Sequence, residues 1–267
     1  MTTAIEQPAA AIDLARYPID DLASVAGRAL LDRIDADLAT VGACDLPGFV
    51  RPEAVAAILA GIDERSAYAM EQTHDIEFSG RDPETMAPDD PLRAQVRSAK
   101  GAIAYDEIPA GNPLRGIYES DALTRFVAAA VGADPLFRHA DPAGALNVMV
   151  HQPGDELGWH FDNADFVVTL MLRPAEAGGV FEFAPMLRSE GDANRDGVRA
   201  LLAGDRARVR TISAEAGTLA LFRGHFSPHR VTPVEHGLAR VNAVLAYATR
   251  PDARLSASAL RIFYGRT

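Results

Sequence analysis

Two short stretches carry side chains whose types and spacing suit a metal ion. The first, Gly158-Trp-His-Phe-Asp-Asn-Ala-Asp-Phe166, sets His160 and Asp162 two residues apart, just ahead of the apolar run Phe166–Leu172. On a β-strand, residues i and i+2 point to the same face, so an imidazole and a carboxylate placed this way grip one ion from one side. The second, His229-Arg-Val-Thr-Pro-Val-Glu-His-Gly-Leu-Ala-Arg240, offers a third ligand and, eleven residues later, a cation. Two imidazoles and one carboxylate that leave coordination positions open are the ligand set of non-haem iron(II) centres, and the same set suits zinc.

A lone His-x-Asp is common, so the second stretch has to supply the specificity. Three histidines compete for the third place. His236 sits in a turn before Gly237 and His225 follows Gly224 in a loop, whereas His229 opens an alternating segment with Val231. The spacing predicts a hairpin in which His229 lies opposite the strand carrying Arg240 and Asn242, so that both present to one cavity. An arginine projecting into an apolar barrel is costly unless an anion meets it, and its planar fork matches a carboxylate with two hydrogen bonds. An open metal plus such an arginine points to a dicarboxylate co-substrate. The blander reading is a surface ion pair with Glu235, which would contribute little.

The elements that must position these groups fall into two halves. From Asp20, apolar residues Leu22, Val25, Leu30, Ile34, Leu38 and Val41 recur at helical spacing and stop before Gly42. Pro52 and Glu53 open a second helix, and a third covers Leu114–Val131 up to Gly132. Residues 71–98, rich in acids and interrupted by Pro83, Pro88 and Pro91, read as a long loop of the kind that forms lids. After Gly144 the period becomes two. Strands are expected at Ala145–Val150, Leu157–Phe161, Phe166–Leu172, Val180–Phe183, Val209–Ile212, Leu219–Phe222 and Ala239–Ala248, with a charged helical insertion over 186–206. The expectation is an α+β fold: a double-stranded β-helix (jelly roll, cupin-like) core with N-terminal buttressing helices. Residues 1–142 would give helical support and the lid, and 143–267 the jelly-roll core, integrated as one domain.

The bulk composition narrows the function classes. A net charge of −11 over 267 residues, with no basic stripe, argues against nucleic acid. The single cysteine, Cys44, excludes an internal disulfide framework and suits a reducing compartment. The N-terminus lacks the features of a signal peptide and no apolar run reaches membrane-spanning length, so a cytoplasmic protein without membrane contact is expected. A small-molecule substrate and dioxygen are the expected partners, with a homodimer allowed.

His160-Phe-Asp162, His229-x-Val-x-Pro-Val and Arg240 resemble the iron(II)/2-oxoglutarate-dependent dioxygenase superfamily. Within it, Leu146-Asn-Val-Met-Val-His-Gln-Pro-Gly-Asp155, the run Leu157–Leu170, Gly178-Gly-Val-Phe-Glu-Phe183 and Arg261-Ile-Phe-Tyr-Gly-Arg266 resemble one branch. That branch holds the free amino-acid halogenases, lysine chlorinases among them, and their hydroxylase relatives. The resemblance runs from about Cys44 to the C-terminus. It implies that His160, Asp162 and His229 bind iron(II), with ascorbate helpful in vitro. It further implies that Arg240 pairs with the distal carboxylate of 2-oxoglutarate, and that Thr169 and Asn242 line the same pocket. His151 stands where many relatives place a tyrosine that touches the co-substrate. The halogenases carry glycine or alanine in place of the carboxylate ligand, and chloride fills the gap. With Asp162 in place, the implied reaction is hydroxylation of an unactivated C–H, most simply in a free L-amino acid.

Substrate contacts are open to several residues. Asn163, Asp165, Asp141 and Tyr105-Asp106 would suit an amino group or a basic side chain, and Phe263 and Tyr264 would fold over the pocket. In a chain this acidic, any one aspartate is more simply a solvated charge or a helix cap, and Trp159 belongs to the core. Two other classes compete: a zinc or manganese cupin acting as a hydrolase or isomerase, and a non-catalytic jelly-roll binding protein. A halogenase with an unusual ligand set is a third reading.

Overall fold

The computed structural model describes residues 8–77 and 86–266. Four helices gather on one side of a sheet: α1 (Val25–Thr40), α2 (Pro52–Ala60), α3 (Pro113–Glu119) and α4 (Asp121–Val131). α1 starts at Ser24, whose hydroxyl accepts the Gly27 N–H, and its helical spacing turns Leu30, Ile34 and Leu38 inward. Val25, although on the apolar list, is 78 % exposed. The expected third helix is in fact two. Ser120 is extended (φ −66°, ψ 124°), and the break lets α3 and α4 each bury their own face. Tyr118, at the end of α3, donates its hydroxyl to the Ala246 carbonyl and ties the helices to the far end of the sheet.

The strands are β1 (Ala43–Leu46), β2 (Tyr68–Asp75), β3 (Gln95–Ile103), β4 (Leu146–His151), β5 (Glu156–His160), β6 (Val167–Arg173), β7 (Phe181–Phe183), β8 (Arg210–Thr211), β9 (Leu219–Phe222), β10 (His229–Val231) and β11 (Arg240–Leu245). Their order is β1-β9-β6-β11-β4-β3-β5-β10-β7-β8, with β2 on the side of β3 and every pairing antiparallel. The sheet curls onto itself as a double-stranded β-helix, and β3 belongs to both halves. Its Gly101–Ile103 end pairs with β4, while Ser98 and Ala99 pair with β5. The N-terminal half therefore supplies strands as well as helices, since β1 also pairs with β9.

Period-two alternation sorts the strands into two faces. Val168, Leu170 and Leu172 of β6, with Val241, Ala243 and Leu245 of β11, join the helices in the main core. Their neighbours Thr169, Met171, Arg240, Asn242 and Val244 turn the other way, into the cavity between the two halves of the sheet.

Two expectations are corrected. Residues 71–98 are not one long loop, because Glu71–Asp75 and Gln95–Ser98 are the paired ends of β2 and β3. The central part of that segment, 78–85, lies outside the described residues. His229 and Arg240 do not form a hairpin. β10 pairs with β5 and β7, whereas β11 pairs with β4 and β6, and the intervening Val234–His236 pairs with Ala177–Gly178 instead. Pro233, which has no N–H to give, stands where the chain leaves one half of the sheet for the other. The charged insertion does hold a helix, α5 (Arg195–Leu202), whose Val198 and Leu201 pack with Trp159 and Phe161 in a second core. A C-terminal helix, α6 (Ala257–Tyr264), was not anticipated. No described helix is long and apolar enough to cross a membrane.

Candidate metal centre

His160 ends β5, Asp162 follows it by two residues, and His229 opens β10, directly opposite His160 in the register. Their ligand atoms lie within 4.8 Å of one another. His160 Nε2 is 3.7 Å from Asp162 Oδ1, and His229 Nε2 is 3.4 Å from Asp162 Oδ2. Two ligands about 2.1 Å from one ion and at right angles stand about 3 Å apart, so small side-chain shifts complete the site. Each imidazole is turned by its backbone. His160 Nδ1 lies 2.8 Å from the Gly158 carbonyl and His229 Nδ1 3.1 Å from the Ser227 carbonyl. A carbonyl only accepts, so the proton sits on Nδ1 and the lone pair on Nε2, the arrangement that metal-binding histidines use. Burial lowers His160 to about 3, with His229 adding to the effect, and burial lowers His229 to about 4. Both are therefore neutral donors at neutral pH. Burial pushes the Asp162 carboxyl up.

Several residues hold Asp162 in place. Its N–H donates to the Gly224 carbonyl, and His225 Nδ1–H donates to its own carbonyl at 3.1 Å. His225, one of the three rivals for the third ligand, thus supports the site from outside the triad, and His236 lies exposed on its ribbon. A β-carbon added at Gly224 would stand 1.8 Å from Asp162 Oδ2, so the carboxylate occupies space only glycine leaves. Phe161, between the two ligands, is fully buried with the Arg188 guanidinium 3.8 Å above its ring. Arg188 in turn pairs with buried Glu77 and donates to the His225 carbonyl. Gly224, Arg188 and Glu77 are functional support that sequence reasoning missed, since nothing local joins them to Asp162.

Two cavities share a wall made of Lys100, Leu157, His160 and Asp162. The inner one, about 220 Å³, runs between the halves of the sheet to Arg240. Arg240 is 3 % exposed, faces His151 across the β4–β11 ladder and donates to Asn242 Oδ1 at 2.6 Å. Burial lowers it to about 10, so it keeps its charge at neutral pH. Both ring nitrogens of His151, together with Thr218 Oγ1, are buried without a partner among the described residues. Desolvation, then the Arg240 and Lys100 charges, hold His151 well below the usual range, so its ring is neutral. Buried polar groups are normally satisfied, and a cluster of unsatisfied ones beside a buried cation fits a small anion with several acceptor atoms. Thr169 and Asn242 line this same cavity.

The outer cavity, about 360 Å³, opens between β2, β3 and α6. Asn163 lines it, as do Ile262 and Phe263. Asp141 and Tyr264 line neither cavity. The Asp141 carboxylate caps a turn by accepting the N–H groups of Ala143, Gly144 and Leu255. Tyr264 packs against Ala102, Ala104 and Ala143. Asp165 is exposed, Asp106 pairs with Arg266, and Tyr105 bonds Glu119. Lys100, half-buried on β3 just beyond the expected loop and unnoticed in the sequence, stands in the wall shared by the two cavities. Desolvation lowers it to about 8.

Comparison with known proteins agrees with this geometry. The model of the Halogenase D family matches residues 31–261. An oxidoreductase of the 2OG-Fe(II) oxygenase family from Burkholderia pseudomallei superposes with a TM-score of 0.53 at 18% identity, covering 84% of this chain and 92% of that one. The non-haem, α-ketoglutarate-dependent epimerase SnoN from nogalamycin biosynthesis gives 0.55 at 13%, covering 83% of each chain. A prolyl hydroxylase from Trichoplax adhaerens, in complex with a hypoxia-inducible-factor peptide, gives 0.51 at 14%, covering 82% and 89%. No curated protein sequence matches the chain. Fold and triad together define an enzyme of the iron(II)/2-oxoglutarate-dependent oxygenase class. Within that class, the chain belongs to the Halogenase D family.

Proposed function

We propose that the chain is a hydroxylase that uses iron(II) and 2-oxoglutarate to oxygenate an unactivated C–H bond of a small polar metabolite, a free L-amino acid. The observation that carries this reading is Asp162. It completes the two-histidine, one-carboxylate set and fills, against Gly224, the position that a halogenase of the resembling branch leaves open for chloride. Bound iron(II) and 2-oxoglutarate supply the oxidation, in which one atom of dioxygen enters succinate as carbon dioxide is lost and the other enters the substrate.

The chain's residues have distinct tasks. His160 and His229, held in one tautomer by backbone carbonyls, bind the metal through Nε2, and Asp162 adds the charged ligand. Arg240 takes the distal carboxylate of the co-substrate in a fork of hydrogen bonds, with His151 donating beside it and Thr169 and Asn242 completing the polar end. Phe181, Phe222 and Val231 exclude water from the inner cavity. Cys44 is buried and pushed up to about 12 by desolvation, so an inert thiol accompanies the expected cytoplasmic setting.

Asp162→Gly tests the reading. With iron(II), ascorbate, 2-oxoglutarate and pooled amino acids, the wild-type chain is expected to release succinate together with a hydroxylated product, and the variant to lose the hydroxylated product. Oxygenated product formed by the variant at the wild-type rate would refute Asp162 as a ligand.

A further inference from the structure

The outer cavity holds one cation and no carboxylate to spare. The charged residues in its described lining are Lys100 and Asp162, and His160 beside them is neutral. Asp162 belongs to the metal. Apart from it, the charge acting on Lys100 is that of Arg240, which lies at the far end of the inner cavity. The Lys100 ammonium meets the Phe263 ring at 5.5 Å, and no described carboxylate pairs with it. Once 2-oxoglutarate is on Arg240 and Asp162 is on the metal, Lys100 is left as a desolvated cation facing the substrate, and such a charge calls for an anion. The remaining lining divides into uncharged polar groups, Gln72, Asn163 and Ser258, and an apolar strip of Met70, Leu157 and Ile262. The aspartates that would have received a basic side chain are engaged elsewhere: Asp141 caps its turn and Asp106 holds Arg266.

From this lining we infer that Lys100 is a specificity-determining residue that binds the carboxylate of the substrate, and that the body of that substrate is apolar or neutral rather than basic. The inference rests on the proposed function and narrows its substrate class to small carboxylic acids, amino acids included, without a second positive charge. A carboxylate on Lys100 places the substrate body along the Met70–Ile262 strip, within reach of the metal face formed by His160 and Asp162.

The experiment uses the full chain under nitrogen, loaded with manganese(II) and 2-oxoglutarate so that no turnover occurs, and reads binding by titrated thermal shift. The probes are L-norleucine, its amide and L-lysine, which share one carbon frame and differ in the anion or in the added ammonium. The expected result is that L-norleucine binds at least tenfold more tightly than either of the other two. Lys100→Met is expected to remove the L-norleucine response, Lys100→Arg to keep a weakened one, and both to retain the shift caused by 2-oxoglutarate, which also shows that they fold. Lysine binding as well as or better than norleucine would overturn the inference, as would norleucine giving no shift. If Lys100→Met loses the 2-oxoglutarate shift instead, Lys100 belongs to the co-substrate and the inference is wrong. If the wild-type chain shows no shift with manganese(II) and 2-oxoglutarate, the failure lies in the proposed function itself.

Discussion

The inner and outer cavities meet at two residues of the triad, His160 and Asp162, yet are built in opposite ways. The inner one is lined by strands of a regular ladder, where alternate residues of β4, β6, β9 and β11 point inward and the rest seal the helical core. Its polar groups are concentrated in Arg240, His151 and Thr218, all buried. The outer cavity is assembled from β2, β3 and α6, elements far apart in the chain, and its lining is half apolar and partly exposed. On the proposed reading, the pocket that takes one fixed co-substrate sits on a ladder, and the pocket that would set substrate choice sits on elements able to vary without disturbing the sheet.

Substitutions can break that contrast. The largest effect is expected from Arg240→Met, which removes the inner cation while keeping its apolar stem. Losing a fork of charge-assisted hydrogen bonds worth about 3 kcal/mol corresponds to a rise of roughly 100-fold in KM for 2-oxoglutarate. Metal affinity should hold, and steady-state succinate kinetics beside a metal titration would check both. Gly224→Ala should do the converse. Its new β-carbon displaces the Asp162 carboxylate, and disturbing support of this kind weakens metal binding about 10- to 100-fold. The measurement is a manganese(II) titration, and unchanged affinity would show that Asp162 has room to spare.

The smallest effect is on stability. His160 and His229 are held at about 3 and about 4 in the folded chain, against about 6.5 when unfolded. Between those values the unfolded chain binds protons that the folded chain refuses, so stability is full above about 6.5 and falls as pH drops toward about 4. Melting curves of the metal-free chain should show that slope, reduced in His229→Asn. Lys100, at about 8, stays charged throughout this range, which leaves the acid limb to the histidines and the carboxylates.

What the sequence revealed follows the same division. His160 and Asp162 were legible because strand geometry makes i and i+2 neighbours, and Arg240 because a buried guanidinium needs an anion. The hairpin that was to join His229 to Arg240 was misread, because which strands pair across a curled sheet is a non-local matter. Lys100 was hidden because β2 and β3 mix polar and apolar residues on both faces and lie twenty residues apart, so neither reads as a strand. α6 did carry its signals, since Ser256 caps the Ala259 N–H and Gly265 ends the helix at φ +63°. The role of Gly224 had no local sign at all.

The central claim is that Asp162 commits this family member to oxygen rather than chloride. It is tested most directly by incubating the iron(II)-loaded chain with 2-oxoglutarate, ¹⁸O₂, excess chloride and a pool of small amino acids, then weighing the products. The account predicts succinate in step with a product that has gained one labelled oxygen atom and no chlorine. A chlorinated product, or no succinate from protein shown to hold iron, would contradict it.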